Sequence, residues 1–358
     1  MEHNVTINTV AELAGTSKTT VSFYLNGKFD KLSAATRKRI EKAIEDTNFH
    51  PNLAARSLSR NRTKLVGVIL GDLTNNFSNE IIKGIETVTI AEKYQIVFGN
   101  SGYDPSIEKQ YIEQMLNMGV DGLIIQPTER FADTGKKLET LGVPVVFFDS
   151  EVPSPHACRV KTGTDSATLE AAEKCMKMGY EDFLMITADP EVLSTRRERA
   201  DSFQKALRKY DKPCKIKVIG PQTNPEELTG CIEENIRLNR RSLIFVPTCW
   251  ALSTVYLALK KYHQLIPQNI GLLGFDNTEW TRLATPSITT IVQPVFEEGR
   301  QAMKLLIDLL EGCEKPPVSR VLNCTVNWCE STAPQEREKN VGSSGTGLNN
   351  TKKQEEPL

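Results

Sequence analysis

The chain has 358 residues, enough for two or three domains with sizeable cores, and its charged and hydrophobic fractions, 25% and 39%, are those of an ordinary globular protein. The first 64 residues hold 11 Lys and Arg against 6 Asp and Glu, a net charge of +5, whereas the remainder holds 33 against 39, a net charge of −6. A basic head on an acidic body predicts that any polyanion binds at the head.

The cysteines and the apolar segments exclude further classes of protein. The eight cysteines are scattered without a Cys-x-x-Cys pair, and only Cys158 has a histidine close in sequence, His156, so we predict neither a metal site nor a cofactor. The N-terminus lacks the apolar region of a secretion signal, and no apolar run reaches transmembrane length. These features predict a cytoplasmic protein with reduced thiols.

Residues 1–50 are predicted to form short helices. Apolar residues recur at helical spacing in TINTVAELAG, and Gly15 ends that run. Ser17 can cap a second helix, and a third begins at Ser33. Two helices joined by a tight, glycine-containing turn indicate a helix-turn-helix motif. In that motif the second helix enters the major groove of DNA and its N-terminal residues meet base edges.

The second helix carries side chains that suit such contacts. Thr and Ser can hydrogen-bond to bases or phosphates, Lys18 can reach a guanine or a phosphate, and a Thr methyl or an aromatic ring can contact a thymine methyl. Three basic residues, Arg37, Lys38 and Arg39, open the third helix and could clamp the DNA backbone. The alternative is a solvated polar helix with a charged neighbour.

Residues 51–63 form a short basic linker, which we predict to be a hinge helix. Leu58 stands beside small alanines and is flanked by Arg56, Arg60 and Arg62. A protruding leucine with basic flanks can be pushed between base steps from the minor groove. The alternative is a cationic linker with a buried leucine.

Residues 64–333 change to apolar runs that alternate with helical stretches. The predicted strands are LVGVIL, QIVFGN, GLIIQP, VPVVFFD, DFLMITA, KIKVIG, SLIFVPT and IGLLGFD, and the predicted helices lie near 77–93, 106–118, 131–141, 196–210, 225–239 and 251–263. This alternation predicts an α/β fold of two lobes with parallel sheets and a cleft between them, where ligands bind at the carboxyl ends of strands. The polar segment 334–358 is predicted to be a disordered tail.

The motifs together resemble the lactose/galactose repressor (LacI/GalR) family of bacterial transcription regulators. The similarity is carried by TINTVAELAGTSKTTVSFYLNGK, LSAATRKRIEKAIEDTNFHPNLAARSL, KLVGVIL, GVDGLIIQP, GVPVVFFD, IPQNIGLLGFDN and PSITTIVQP. The resemblance implies that Lys18, Thr19 and Phe23 read bases and that Leu58 is a minor-groove wedge. Many members carry Arg where Phe23 stands, so an apolar or thymine contact is expected there. The predicted DNA-binding residues are Thr6, Ser17, Lys18, Thr19, Thr20, Ser22, Phe23, Asn26, Asn52, Ala55, Arg56 and Leu58.

The body of that family resembles periplasmic sugar-binding proteins, which implies a small effector. The predicted effector-binding residues follow strands or match the family pattern: Phe77, Asp149, Arg199, Thr248, Trp250 and Asp276. From the residues alone, Phe77 could equally be core, and the two aspartates could be turn formers or helix caps. The chain has Thr-Cys where many members have Asn-Asp, and Ser150 where Arg is common. We expect the effector to be a sugar or a sugar acid.

The resulting prediction is a repressor that binds a pseudo-palindromic operator as a homodimer, because palindromic sites require two-fold symmetry. One rival function is an enzyme, but the chain has no Gly-x-Gly-x-x-Gly after a strand, no phosphate-binding loop and no nucleophile elbow. The other rival is a sugar-binding protein without a DNA-directed role. The basic head argues against it.

Overall fold

The computed structural model describes residues 5–49, 62–128, 131–152, 154, 156–275 and 278–332. The helices are α1 (Ile7–Leu13), α2 (Lys18–Leu25), α3 (Ala34–Thr47), α4 (Asn76–Glu92), α5 (Pro105–Asn117), α6 (Ala132–Leu141), α7 (Thr164–Lys177), α8 (Ser194–Arg208), α9 (Pro225–Asn235), α10 (Cys249–Ala258), α11 (Trp280–Leu283) and α12 (Val295–Glu311), with 3₁₀ turns at Phe29–Lys31 and Lys260–Leu265. None of the helices among these residues is both long and apolar enough to cross a bilayer.

Twelve strands lie in the same described ranges. They are β1 (Leu65–Leu70), β2 (Gln95–Asn100), β3 (Gly122–Ile125), β4 (Val145–Phe148), β5 (Cys158–Gly163), β6 (Asp182–Thr187), β7 (Cys214–Val218), β8 (Ser242–Val246), β9 (Ile270–Phe275), β10 (Thr289–Val292), β11 (Ser319–Asn323) and β12 (Thr325–Asn327).

Helices α1 to α3 form a headpiece with its own small core. Thr6, Ser17 and Ser33 cap the three helices, each through a side-chain oxygen that accepts from a backbone N–H. The apolar faces meet in one cluster of buried residues, namely Val10, Ala11, Ala14, Val21, Ile40, Ala43 and Phe49. Because one face of each helix is buried in this cluster, the polar residues at the other helical positions face outward.

The chain divides into two compact units, each assembled from separate stretches of sequence. The first contains residues up to 167, 189–201 and 293–324, and the second contains 168–188, 202–292 and 325 onward. The first unit has a sheet of order β11-β5-β4-β3-β1-β2 in which every described pair of strands is parallel. Its carboxyl-end edge carries the residues that follow β1, β3 and β4.

Each face of this first sheet is covered by a pair of helices. On one face Val66, Val68 and Phe148 pack with α4 and α12. On the other face Ile69 and Phe147 pack with α5 and α6. Burial on both faces explains why these strands read as continuous apolar runs.

The second unit has a sheet of order β12-β10-β9-β8-β6-β7, with α9 and α10 packed against one apolar cluster. The pairs are parallel except that β12 runs antiparallel to β10. The parallel sheets predicted from the sequence are confirmed, with this one short edge strand as the exception.

All eight predicted strands are present, and so are the six predicted helices, with shifted ends. The fifth of these helices ends at Asn235 rather than near 239, and the sixth ends at Ala258 and continues as a 3₁₀ turn. The predicted hinge helix and tail lie outside the described residues, apart from the last two positions of the linker.

Candidate DNA-binding surface and effector site

Capping side chains fix the starts of α1 and α2. The Thr9 N–H donates to Thr6 Oγ1 at 3.4 Å, and the Thr20 N–H donates to Ser17 Oγ at 3.2 Å. Gly15 lies between the helices at φ +57°, a conformation that glycine adopts without strain. Thr6 and Ser17, two predicted DNA-binding residues, therefore use their hydroxyl groups as caps, and the hydroxyl of a third, Thr20, is hydrogen-bonded to the Ser17 hydroxyl at 2.8 Å.

The remaining predicted contacts of the headpiece lie on one face of α2. Lys18, Thr19, Ser22, Phe23 and Asn26 follow helical spacing, and the first two are exposed while the last three are half-buried. The Asn26 side chain donates to the carbonyl oxygen of Ser22 at 2.8 Å, so its amide is fixed against the helix. The structure thus brings together a small polar face that also carries an aromatic ring.

The opposite side of α2 anchors the helix. Val21 is fully buried, and Tyr24 and Leu25 pack partly into the headpiece core. Lys28 Nζ and Lys31 Nζ lie 5.9 and 5.3 Å from the centroid of the Phe23 ring on the polar face, and Lys38 and Arg39 are exposed on α3. The polar face of α2 is therefore backed by packed side chains and has positive charge beside it, which suits DNA binding.

Other predicted site residues cannot be placed. Asn52, Ala55, Arg56 and Leu58 of the hinge segment and Asp276 of the effector site lie outside the described residues. Their roles stay predictions from the sequence.

A buried polar network lies at the carboxyl-end edge of the first sheet. Asp149 follows β4, and its Oδ2 accepts a hydrogen bond of 2.7 Å from Gln126 Nε2. Gln126 follows β3, and its Oε1 accepts from the Gly71 N–H at 2.9 Å. Arg199 Nη2 lies 4.0 Å from Asp149 Oδ1. Two predicted effector residues, Asp149 and Arg199, are thus brought together as a buried pair of opposite charge.

Asp149 has an unusual backbone conformation that a second carboxyl group supports. Its φ is +61°, and the Ser150 N–H donates to the Phe148 carbonyl at 2.7 Å across this tight turn. The Asp149 N–H donates to Glu298 Oε1 at 2.9 Å, from the first turns of α12. Glu298 therefore holds the backbone of Asp149, which is a predicted effector-binding residue.

Glu298 is fully buried, and its surroundings favour its neutral form. Burial raises the pKa of Glu298 well above its usual value, and the charge of Asp149 raises it further. The Asp149 N–H and the Arg199 guanidinium oppose this shift, but they act more weakly. A neutral Glu298 adds no negative charge of its own beside the pair formed by Asp149 and Arg199.

The other predicted residues of the first unit have defined positions. Phe77 lies in the first turn of α4, half-buried, with its ring stacked on Phe148 at 6.4 Å between centroids. The ring of Phe77 packs on the core cluster, which is the core alternative raised from the sequence, and its contact with an effector stays a prediction. Arg197 forms an exposed ion pair with Glu191, so it points away from the buried network.

In the second unit the predicted residues lie at the start of α10. Thr248 is buried and its Oγ1 accepts from the Ala188 N–H at 3.3 Å, joining the ends of β8 and β6. Trp250 packs partly against the apolar cluster of its unit. Trp280 also packs partly against this cluster and lies edge-on to Tyr256, with 5.7 Å between ring centroids. Both indoles therefore have structural roles in the unit.

Sequence reasoning missed two members of the network. Gln126 directly follows the run GLII, as Asp149 follows VVFF, so the same rule of polar residues after strands could have found it. Glu298 lies on the buried stripe of α12, between Val295 and Ala302. A carboxyl group at a position of the helix that is otherwise apolar could have indicated a buried polar contact.

Comparison with known proteins gives matches over nearly the whole described chain. The family described as "Bacterial regulatory proteins, lacI family" matches residues 6–52, and the "Periplasmic binding protein domain" matches residues 66–314. The probable HTH-type transcriptional regulator EndR of Paenibacillus polymyxa is 32% identical over 313 residues, which cover 87% of this chain and 92% of EndR.

Solved structures share the fold. The lac repressor dimer bound to operator and the anti-inducer ONPF matches with a TM-score of 0.79 and 22% identity, over 92% of this chain and 99% of that one. A LacI family regulator from Enterococcus faecium with bound ribose matches with a TM-score of 0.66 and 22% identity, over 75% of this chain and 99% of that one.

Proposed function

The chain belongs to the lacI family of bacterial regulatory proteins, and from that premise we propose that it binds a pseudo-palindromic operator as a homodimer. We propose further that it acts in the cytoplasm as a repressor and that a sugar or a sugar acid controls its affinity for DNA. It is a transcriptional regulator and not an enzyme. The observation that carries the DNA-directed role is the face of α2, where Lys18, Thr19, Ser22 and Phe23 stand on a helix whose other side is locked into the headpiece core.

Two-fold symmetry supports the homodimer. One headpiece presents one such face, and a pseudo-palindrome offers two equivalent half-sites. The lac repressor, which shares this fold, is a dimer on its operator. The same reasoning supports a hinge role for residues 51–63, with Leu58 as the minor-groove wedge and Asn52, Ala55 and Arg56 beside it.

The buried network of the first unit supports an effector with several hydroxyl groups. Asp149 accepts hydrogen bonds as a carboxylate, and Arg199 donates them as a guanidinium. A guanidinium also pairs with a carboxylate, which is the reason to include aldonic acids among the effectors. A related fold from Enterococcus faecium holds ribose. Phe77, Thr248, Trp250 and Asp276 complete the proposed set of effector residues.

Selection of the purified protein on randomised duplex DNA tests the proposal. Enrichment of a pseudo-palindrome, bound far more tightly than random DNA and with a steep negative dependence on salt, is the expected result. No enriched sequence, either alone or with a mixture of metabolites, would contradict the DNA-directed role.

The hinge and the effector have separate tests. Leu58→Ala should weaken operator binding more than nonspecific binding, and equal losses would rule out the wedge. Calorimetry with D-gluconate and neutral sugars should show binding, and the ligand should be recovered unchanged. Heat from a purine alone would overturn the sugar class.

A further inference from the structure

The first unit contains a cavity of about 450 Å³ beside α6 and near the amino ends of β4 and β5. The buried network lies elsewhere, since neither Asp149 nor Glu298 is among the described residues that border this space. The end of α12 and the loop that follows it form one side of the cavity. Most of the lining is apolar, and its hydrophobic side chains include Leu138, Val143, Val145, Phe147, Val152 and Leu309.

Two carboxyl groups, those of Glu139 and Glu314, border the same cavity. Glu139 Oε1 accepts a hydrogen bond of 2.8 Å from Ser154 Oγ, and Glu314 Oε1 lies 3.6 Å from Arg320 Nη2. A carboxylate has about four acceptor sites, so each of these groups can also accept from a ligand. Among the lining residues that the structure describes there is no Lys or Arg, so an anionic ligand would meet two negative charges.

The size and the lining of the cavity define a class of ligand. Pockets for small molecules have volumes of roughly 300–1,000 Å³, with a mostly apolar lining and a few polar groups that fix the orientation of the ligand. A sugar carries a hydroxyl group on nearly every carbon, and these groups would lose their hydrogen bonds to water against apolar side chains. A molecule with an apolar body and one amino group matches both parts of the lining, because the amino group can donate to a carboxylate.

We propose that this cavity is a second regulatory site, separate from the site of the sugar or sugar acid, and that it binds an apolar molecule with an amino group. Leu309 borders the cavity, and the carbonyl oxygen of the next residue, Leu310, accepts a hydrogen bond from Arg62 at the end of the predicted hinge segment 51–63. A ligand that shifts Leu309 therefore moves the acceptor that holds Arg62. The regulatory role rests on the proposed function, whereas binding in the cavity does not.

Titration of the full-length protein with 1-aminoanthracene tests binding. This dye has three fused rings and one amino group, and its fluorescence rises in apolar surroundings. Anthracene-1-carboxylate is the matched probe, because it has the same rings and a carboxylate in place of the amino group. It should bind at least about tenfold more weakly, as measured by displacement of the dye, since it loses a hydrogen bond and is repelled by the carboxyl groups. Equal affinities would overturn the ligand class, and the absence of saturable dye binding would overturn the site.

Val143→Phe locates the bound dye. Val143 and Val97 are both half-buried valines that pack against the same apolar cluster, and of the two only Val143 borders the cavity. Val143→Phe should fill part of the space and weaken dye binding about tenfold, whereas the matched control Val97→Phe should leave it unchanged. Far-UV circular dichroism checks that both variants fold. Dye binding by Val143→Phe that equals that of the wild type would place the dye elsewhere and overturn the site.

A second variant tests the two carboxyl groups without changing the shape of the cavity. The double change Glu139→Gln and Glu314→Gln removes the repulsion of anthracene-1-carboxylate, while the amide oxygens still accept from the amino group of the dye. The difference in affinity between the two probes should therefore shrink. An undiminished difference would contradict the role of the carboxyl groups in selecting the ligand.

Operator titrations with and without saturating dye measure the regulatory role. The affinity for the selected operator should change by about fivefold or more, which is the lower end of ordinary allosteric coupling. Val143→Phe should lose this response, and it also controls for any direct effect of the dye on the DNA. An operator affinity that stays the same within about twofold while the dye is bound would overturn the regulatory role. The dye titrations need no DNA, so failure to select any operator would remove the proposed function and leave the result for the cavity intact.

Discussion

Replacing Glu298 by glutamine should make the stability of the protein less dependent on pH. At pH values below about 4.5 the wild-type carboxyl group is protonated in both the folded and the unfolded chain, so its contribution is fully present. Above that pH the unfolded chain releases the proton, whereas the buried group keeps it because its folded pKa is raised. The free energy of unfolding of the wild type therefore falls as pH rises towards the folded pKa.

The size of the effect follows from one proton. Between the unfolded and the folded pKa the loss approaches about 1.4 kcal/mol per pH unit. Glu298→Gln carries no such proton, and its amide oxygen can still accept from the Asp149 N–H. The variant should therefore gain stability relative to the wild type as pH rises from 5 towards the raised folded pKa of Glu298.

Urea denaturation at pH 5, 6 and 7 measures the difference between the two proteins. Far-UV circular dichroism follows the whole chain, and tryptophan fluorescence follows the second unit, because Trp250, Trp280 and Trp328 all belong to it. The matched control is Glu297→Gln, since Glu297 is partly exposed, hydrogen-bonds to Arg300, and has a lowered pKa. Stability from such a group is lost only as pH falls below the unfolded pKa, so this control should show no gain between pH 5 and 7.

Parallel curves for the wild type and Glu298→Gln would show that the folded protein holds Glu298 ionised, and the charge assignment of the network would be wrong. Hydrogen exchange provides an independent readout of the bond to Asp149. Glu298→Leu removes the acceptor, so the peptide covering 145–152 should exchange faster than in the wild type. Glu298→Gln should leave the exchange of that peptide slow.

Three further outcomes follow from other sites. Gly84→Ala should lower the free energy of unfolding of the first unit by about 1–3 kcal/mol, because a Cβ at this position overlaps a carbonyl oxygen of α12. Gly230→Ala is the control: Gly230 has open space around it in α9, so this variant should raise the free energy of unfolding by up to about 1 kcal/mol. Burial raises the pKa of Glu108 to about 7, so Glu108→Gln should gain stability over the wild type from pH 4.5 to about 7 and no further, and a constant difference in urea midpoints would refute this. Arg199→Gln should weaken D-gluconate binding roughly 10- to 100-fold by calorimetry while Arg197→Gln leaves it unchanged, and equal effects would remove Arg199 from the site.

The helices and strands that could be predicted from the sequence are those in which one spacing of apolar residues dominates. Strands buried on both faces are continuous apolar runs, and the helices between them repeat at 3.6 residues. Strand β5 was missed because it alternates buried Cys158, Val160 and Thr162 with charged or small residues, and because its partner β11 lies about 160 residues away. The site was predicted only in part for a similar reason: Asp149 is visible after its strand, but Glu298 reaches it from α12, far along the chain.

Helix α12 connects the buried network to the end of the linker. Glu298, near its start, holds the Asp149 backbone, and the carbonyl oxygen of Leu310, near its end, accepts a hydrogen bond from Arg62. Twelve residues of α-helix separate the two contacts by about 18 Å. Close packing at Gly84 and Gly299 ties α12 to α4, which starts at Asn76, so a tilt or a slide of α12 would move both of its ends. An effector that shifts the Asp149 turn would therefore act, through this helix of the first unit, on Arg62 at the end of the predicted hinge segment 51–63.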